Sequence, residues 1–560
     1  MKNKFLNYAL VVVVTVAGAG ALIRATKDDF GLGRNMEILV NLMRELATTY
    51  VDEVDPDRMM QGAAIGMVRS MDPYTEFISE KDLKNFEVMT TGKYGGIGSL
   101  IRYRDDYVRI AQPYEGSPAD RAGLKIGDKI LEVNGKNARG FSTEKVSSEM
   151  KGEPGTKVRL RIEHLNGEVE NYVIRRERIA IPGIPYAGWI NDSIGYIRHS
   201  DFTAGCYEDL RREVIDMHRT GRLKGLVLDY RSNGGGILQE AVKILSMFLP
   251  KGTEVVTTKG RNKQTQDVYR TETEPIFPDL KIAVLVNQNS ASSTEIVAGS
   301  LQDMDRAVVI GQRSFGKGLV QSTRPVGYNA IVKVTTAKYY IPSGRCIQAI
   351  DYSHAEDGSV GEVPDSLITE FKTRNGRKVY DGGGIMPDIT TEPEYISRFA
   401  ATLFAEGFIE DFGDEYMRRH PNDSINVRTF KISDQDFEDF KAFMKDKKFE
   451  FESTTRRTLN RLKEASEDEQ FDDFAKSVKA LEEQLKDDTE AHLELYRDQI
   501  IETITTDIIQ RHAYTAGVIE HSIEEDKEVQ LAVKVLSDTP EYERILREQD
   551  TAKKVKSKKE

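Results

Sequence analysis

Asn289-Ser290-Ala291-Ser292-Ser293-Thr294-Glu295 is the stretch on which the reading of this 560-residue chain turns. An apolar run, Ile282 to Val286, leads into it, and the residues after it continue as a helix to Asp303. A second apolar run, Ala307 to Ile310, follows. Strand, turn, helix and strand in that order imply a right-handed crossover and a parallel component in a sheet. The same unit occurs upstream. Gly225-Leu226-Val227-Leu228-Asp229 reads as a buried strand that enters Asn233-Gly234-Gly235-Gly236, and Leu238, Ala241, Val242, Leu245 and Leu249 then mark an amphipathic helix. Residues from Ile179 to about Thr391 are therefore expected to be α/β.

The spacing Ser292-x-x-Glu295 is a capping box at a helix start, which is a purely structural job. Two observations point further. The serine stands at the C-terminal end of a strand, where open α/β sheets place their sites. A lysine flanked by glycines, Phe315-Gly316-Lys317-Gly318, follows 25 residues later. Gly311-x-x-x-x-Gly316-Lys317 nearly completes a phosphate-binding loop. Gly318 stands where that loop needs a Ser or Thr, and Leu319 to Ser322 reads as strand rather than helix, so the phosphate reading fails. A serine and a buried lysine can instead act as nucleophile and base, because burial favours the neutral amine. The nearest histidines, His218 and His354, do not sit in a loop with catalytic texture, so a histidine triad is not expected. Gln321, four residues beyond Lys317, would share its strand face and could orient the amine. The Gly-rich turn at 233–236 and the N–H of Ser293 could form an oxyanion hole; a simple tight turn is an equal reading.

The flanking segments differ in texture. From Met36 to Phe77 the pattern is helical: Ile38, Leu39, Leu42 and Leu46 form one stripe, and Asp55-Pro56 restarts a helix carrying Met60, Ala64 and Met67. So small a pair should pack on another domain or a second subunit. From Gly92 to Arg178 short strands alternate, at Tyr107 to Ile110, Lys129 to Val133 and Lys157 to Ile162, with Asn134-Gly135 and Asn166-Gly167 as turns. Ser142 caps a short helix that reaches Met150. After Glu394 the chain is charged and helical. Phe471, Phe474, Val478, Leu481 and Leu485 give one helix an apolar face, expected to pack inside its own domain.

Composition narrows the classes. A net charge of −12 argues against nucleic acid as main partner. Two cysteines, Cys206 and Cys346, are too few for a disulfide framework or a zinc site and read as small buried hydrophobes rather than as a single disulfide. No HExxH, CxxC or carboxylate cluster suggests a metal, and no cofactor is expected. Lys2 and Lys4 precede 19 uncharged residues, Phe5 to Ile23, closed by Arg24. That run can span a bilayer, and its small residues at 17–21 could also serve signal cleavage. An uncleaved anchor is preferred, which places the rest outside the cytoplasm. Residues 551–560 carry five lysines and read as a solvated tail.

Several motifs together resemble those of the C-terminal processing peptidases, or tail-specific proteases: residues 290–303, Ser314 to Gln321, Asp72-Pro73-Tyr74-Thr75, Gly95-Gly96-Ile97-Gly98, Gly116-Ser117-Pro118-Ala119, Asp229 to Gly236 and Pro342-Ser343-Gly344-Arg345. The resemblance covers about residues 36–391. It implies a crotonase-like α/β Ser–Lys protease core with an inserted PDZ domain, a helical N-terminal segment and a helical C-terminal domain. The expected division is 1–24 anchor or signal, 34–91 helical segment, 92–178 PDZ domain, 179–392 core with part of 34–91, 395–550 helical domain and 551–560 tail.

By the same resemblance Ser292 is the nucleophile, Lys317 the base and Gln321 its support, with oxyanion donors at Gly235 and Ser293. Where the family commonly has alanine after the nucleophile this chain has Ser293, of which only the amide matters. The PDZ carboxylate nest falls on Gly95, Gly96, Ile97 and Gly98, and Val146 and Met150 are candidates for the side-chain pocket, with a plain core role equally open for both. The implied activity is serine endopeptidase action on proteins or peptides with apolar C-termini, at the periplasmic side of the inner membrane of the cell envelope, in a possible homo-oligomer. The alternative class is a catalytically inactive PDZ peptide-binding scaffold, against which the intact Ser–Lys pair argues.

Overall fold

The computed structural model describes residues 27–261, 266–352, 361–363, 365–421, 423–468, 472–484 and 489–547. The anchor or signal run, His354, Phe471, Leu485 and the lysine tail lie outside these residues. Among the described residues no helix is long and apolar enough to cross a membrane. The chain divides into two compact units, one holding the residues up to Leu83 with Gln321–Thr335, the other Lys84–Val320 with the chain from Thr336 on.

In the first unit the helix Lys27–Thr49 precedes Pro56–Arg69, which starts as the sequence dictates: Asp55 accepts from the N–H groups of Asp57 and Arg58, and Pro56 occupies the first turn. Only Ala64 of the expected stripe is buried; Ile38, Leu42, Met60 and Met67 are exposed. The short strand Glu76–Ile78 pairs antiparallel with Ile331 to Lys333.

The second unit holds the expected α/β core. Its central sheet runs in spatial order β1 (Tyr186–Trp189), β2 (Ile194–Arg198), β3 (Gly225–Asp229), β4 (Lys281–Val286), β5 (Val308–Gly311) and β6 (Ile389–Thr390). β1 is antiparallel to β2, and every other neighbour pair is parallel. Both faces must then be covered, which is why β3 and β4 read as unbroken apolar runs. On one face lie α1 (Cys206–Arg219), α2 (Leu238–Ser246) and α3 (Ser293–Asp303), where Leu210, Val214, Leu245, Val297 and Leu301 pack on Leu226, Leu228, Val284 and Val309. The other face is covered from far along the chain. After α4 (Arg497–Ser522), α5 (Lys527–Ser537) and α6 (Thr539–Arg547) bring Val529, Ala532, Val535, Leu536, Tyr542 and Ile545 onto Tyr196, Val227, Ala283, Leu285 and Ile310. Cys206 is buried, Cys346 partly so, and both are free thiols.

The alternating strands between the two expected boundaries form a sheet in the order Ser99–Arg104, Tyr107–Pro113, Lys129–Val133, Lys157–Glu163 and Val169–Arg175. Ser142 caps the helix Thr143–Met150 through the Lys145 N–H, as its hydroxyl predicts. A further helical core gathers Phe399, Leu403, Phe412, Phe437, Phe440, Ile500 and Ile504. In the charged helix Asp472–Gln484 Val478 is buried, while Phe474 and Leu481 are about half exposed, so the described part of the expected apolar face is only partly covered.

Candidate active site

Three turns converge at the C-terminal edge of β3, β4 and β5. Ser292 sits immediately before α3 at φ +59°, a backbone region that L residues adopt only when the surroundings impose it. The imposition is visible. Ala291 N–H donates to Asn233 O (3.0 Å), Thr294 Oγ1 to Asn233 O (3.0 Å) and Ser293 Oγ to Gly236 O (2.9 Å). Ser290 Oγ donates to Tyr230 O at 2.9 Å. The hydroxyls of Ser290 and Ser293 are thus spent on holding the glycine turn against the serine turn.

Gly235 is where the two turns meet. A Cβ there would stand 2.8 Å from Ser292 Cβ and 2.8 Å from the Ser293 nitrogen, and φ is +91°, so only glycine fits. The Ser293 N–H opens α3 and has no acceptor within the helix, so the helix leaves it available as an oxyanion donor must be. Gly235 differs from the expectation in one respect. Its N–H donates to Asn233 Oδ1 at 2.8 Å, so in this conformation it is satisfied internally rather than presented to a substrate. The amide is taken because Asn233 is fully buried and turns its carbonyl oxygen back into its own loop, while its Nδ2 donates to His199 O (2.8 Å).

Glu295 does more than cap a helix. Its buried carboxylate accepts from Ser292 N–H (2.8 Å), Lys317 N–H (2.9 Å), Gly316 N–H (2.7 Å) and Ser314 Oγ (2.5 Å). One oxygen, Oε2, therefore holds the amides of both expected catalytic residues. Burial pushes this carboxyl above its ordinary value, against the pull of its four donors. The lysine loop is tied down throughout: Gly316 O accepts from Ala349 N–H (2.9 Å), Gly318 N–H donates to Gln348 Oε1 (2.7 Å), and Gly318 O accepts from Tyr339 N–H (2.9 Å).

Lys317 precedes rather than occupies the strand, which begins at Leu319, so the strand-face argument linking it to Gln321 does not apply. Gln321 belongs to the smaller unit. There its Nε2 donates to Thr335 Oγ1 (3.2 Å), Thr335 N–H donates to Thr75 Oγ1 (3.2 Å), and Thr75 Oγ1 donates to Asp72 Oδ2 (2.9 Å). The Asp72-Pro73-Tyr74-Thr75 motif thus buttresses the partner of Gln321.

Beneath the glycine turn, Asp229 at the end of β3 lies between Arg198 (2.8 Å) and Arg231 (2.6 Å) and accepts from Tyr196 Oη (2.6 Å). Burial alone would raise it, but the two guanidiniums outweigh burial and hold it at about 2. Arg231 continues to Asp526 (2.7 Å) and to Glu528 (2.8 Å) at the start of α5.

In the alternating-strand domain, Ser99–Arg104 is an edge strand, and a small cavity beside it is lined by Gly96, Ile97, Gly98, Ser99, Ser147 and Met150 among others. Gly95, between the lining residues Tyr94 and Gly96, does not itself line the cavity and is packed so that a Cβ would strike Gly152 O at 2.1 Å. Val146 is fully buried in the domain core, one helical position away from the cavity-lining Ser147.

Comparison with known proteins adds to this geometry. The model of peptidase family S41 matches residues 193–354, a PDZ domain model matches 109–164, and one described as "Probable PDZ-protease, C-terminal helical domain" matches 399–536. A carboxy-terminal-processing protease of Bartonella bacilliformis is 34% identical over 370 residues, spanning 65% of this chain and 81% of its own. The chain belongs to the carboxy-terminal-processing proteases. It is a serine peptidase with a PDZ domain and a helical C-terminal domain. Another relative, a "Probable CtpA-like serine protease" of Staphylococcus aureus strain COL, is 32% identical over 344 residues, covering 60% of this chain and 68% of its own. Among solved structures, a photosystem II D1 C-terminal processing protease is 24% identical with a TM-score of 0.34, covering 64% of this chain and 87% of its own. In the sequence of this carboxy-terminal-processing protease Glu295 reads only as a cap. The signal for its second role, a carboxylate with no cation nearby in sequence, carries no spacing rule.

Proposed function

We propose that this protease cuts polypeptides of the cell envelope with a Ser292–Lys317 pair after its PDZ domain has captured their C-termini. In the chemistry, neutral Lys317 takes the proton of the Ser292 hydroxyl, whose oxygen attacks the scissile carbonyl. The Ser293 amide stabilises the oxyanion, joined by the Gly235 amide once it leaves Asn233. The lysine returns the proton to the departing amine, and water then hydrolyses the acyl-enzyme. Gln321 supports the lysine. The observation that carries the reading is the single Glu295 oxygen shared by the amides of Ser292 and Lys317.

Capture follows from the edge strand Ser99–Arg104 beside the Gly96–Gly98 cavity: an extended peptide adds as a strand and lodges its carboxylate on the loop amides. Met150 at the cavity favours an apolar terminal side chain. The uncharged run at 5–23 tethers the protein at the periplasmic side of the inner membrane. The exposed stripe of Ile38, Leu42, Met60 and Met67 pairs with a second copy.

The test uses purified protein and an unstructured substrate with an apolar C-terminus. Ser292→Ala and Lys317→Ala should each abolish cleavage while leaving peptide binding intact. Cleavage retained in both variants would rule out the pair, and binding without cleavage in the wild type would mark an inactive scaffold. Light scattering should report a dimer or larger; a monomer at every concentration removes the second copy.

A further inference from the structure

Tyr339 touches both halves of the proposed pair. It lies at the end of the strand Ala330–Tyr340 and is 1% exposed. Its hydroxyl oxygen is 2.6 Å from Lys317 O and 3.1 Å from Ser292 O. Both neighbours are carbonyls, so the phenol must donate, and its single proton is shared with the shorter bond to Lys317. Its own N–H donates to Gly318 O at 2.9 Å, so the residue holds two successive carbonyls of the lysine loop. Glu295 grips the same two residues from the other side: carboxylate on both amides, phenol on both carbonyls.

We propose that Tyr339 is a positioning residue for the Ser292–Lys317 pair, its shared hydrogen bond fixing the lysine loop against the serine turn and so setting where the amine meets the hydroxyl. The loop has reason to need it. Gly316 is at φ +84° and Gly318 follows Lys317, so the lysine sits between the two residues least able to hold a conformation by themselves. The serine turn has reason as well, because Ser292 at φ +59° would relax if released. Burial keeps the phenol protonated, pushing it well above its ordinary value with Glu295 and Cys346 adding to the effect. Misplacing a base by about 1 Å costs up to about 100-fold in rate.

The inference rests on the Ser–Lys reading, so Ser292→Ala and Lys317→Ala run beside Tyr339→Phe in the full chain. For Tyr339→Phe, kcat should fall about 10- to 100-fold with KM unchanged within about twofold. The acid limb of the rate profile should move to higher pH, because a loosened lysine is better solvated and its charged form less disfavoured. Replacing Tyr339 by 4-aminophenylalanine, which restores a donor in the same place, should recover most of kcat. That variant also keeps the packing and serves if the phenylalanine protein does not fold. A wild-type kcat and profile in Tyr339→Phe overturns the role, as does a loss of kcat with an unmoved profile or no recovery by the amine. If Ser292→Ala and Lys317→Ala stay active, the pair itself falls and Tyr339 with it; if they are dead and Tyr339→Phe is normal, Tyr339 alone falls.

Discussion

His199 is fully buried under the glycine turn, its carbonyl holding Asn233 and its Nε2 3.0 Å from Asp201 O. Burial draws its imidazole down to about 4 from 6.5, only partly offset by the Asp201 carbonyl. The folded protein therefore binds fewer protons than the unfolded chain between those values. Stability should fall as pH drops from 6.5 to 4, by up to about 3 kcal/mol, and the loss should level off below that window. Thermal midpoints across this range check it: His199→Phe should flatten the decline, and an equal slope in both proteins would refute the assignment. Residues of this kind explain what could be read in advance. Ser292 and Lys317 stand in serine- and glycine-rich turns after strand ends, so local pattern singles them out, whereas within the turn 233–236 only the family resemblance picks Gly235. Tyr339 and His199 stand alone in ordinary strand and loop texture, and only the fold gives them neighbours.

At the scale of elements, alternation and Asn-Gly turns located the strands starting at Tyr107, Lys129 and Lys157, because a period of two and a tight turn are local properties, but left Ser99–Arg104 and Val169–Arg175 unread. The same locality misled at Lys317, where a glycine loop delays the strand to Leu319. In the smaller unit the chain of bonds from Asp72 through Thr75 and Thr335 to Gln321 makes a short strand and a turn act together. Thr75→Val removes both the acceptor of Thr335 N–H and the donor to Asp72 while keeping volume, and the stranded partners should cost about 1–3 kcal/mol locally. If Gln321 supports the lysine, kcat should fall about tenfold or more with PDZ peptide affinity unchanged. Steady-state kinetics beside peptide titration decide it; an unaltered kcat would detach the motif from catalysis.

At the scale of the larger unit, the PDZ domain is fastened to the C-terminal helices. Arg104 donates to Gly407 O (2.9 Å) and pairs with Asp411 (2.6 Å), Gln510 Nε2 donates to Gln112 Oε1 (2.8 Å), and the kink at Ala513 and Tyr514 in α4 aims the tyrosine hydroxyl at Asp120. Arg104→Glu sets like charges against Asp411 and Glu410, and should raise hydrogen exchange in residues 408–419 severalfold while leaving the central sheet protected. Unchanged exchange there would show that the fastening lies elsewhere. No feature of α5 or α6 in sequence names the sheet they cover, since an amphipathic helix declares a buried face but not its partner. That cover has a consequence for the order of events in the cell. Val227, Ala283, Leu285 and Ile310 gain their lid only from residues 529–545, the far end of the chain. Until those residues dock, one apolar face of the strands that lead to Ser292 lacks its cover. The sheet that carries the Ser292 turn is thus finished by helices that follow the whole helical domain in sequence, so the order in which the chain folds is tied to a contact between distant segments.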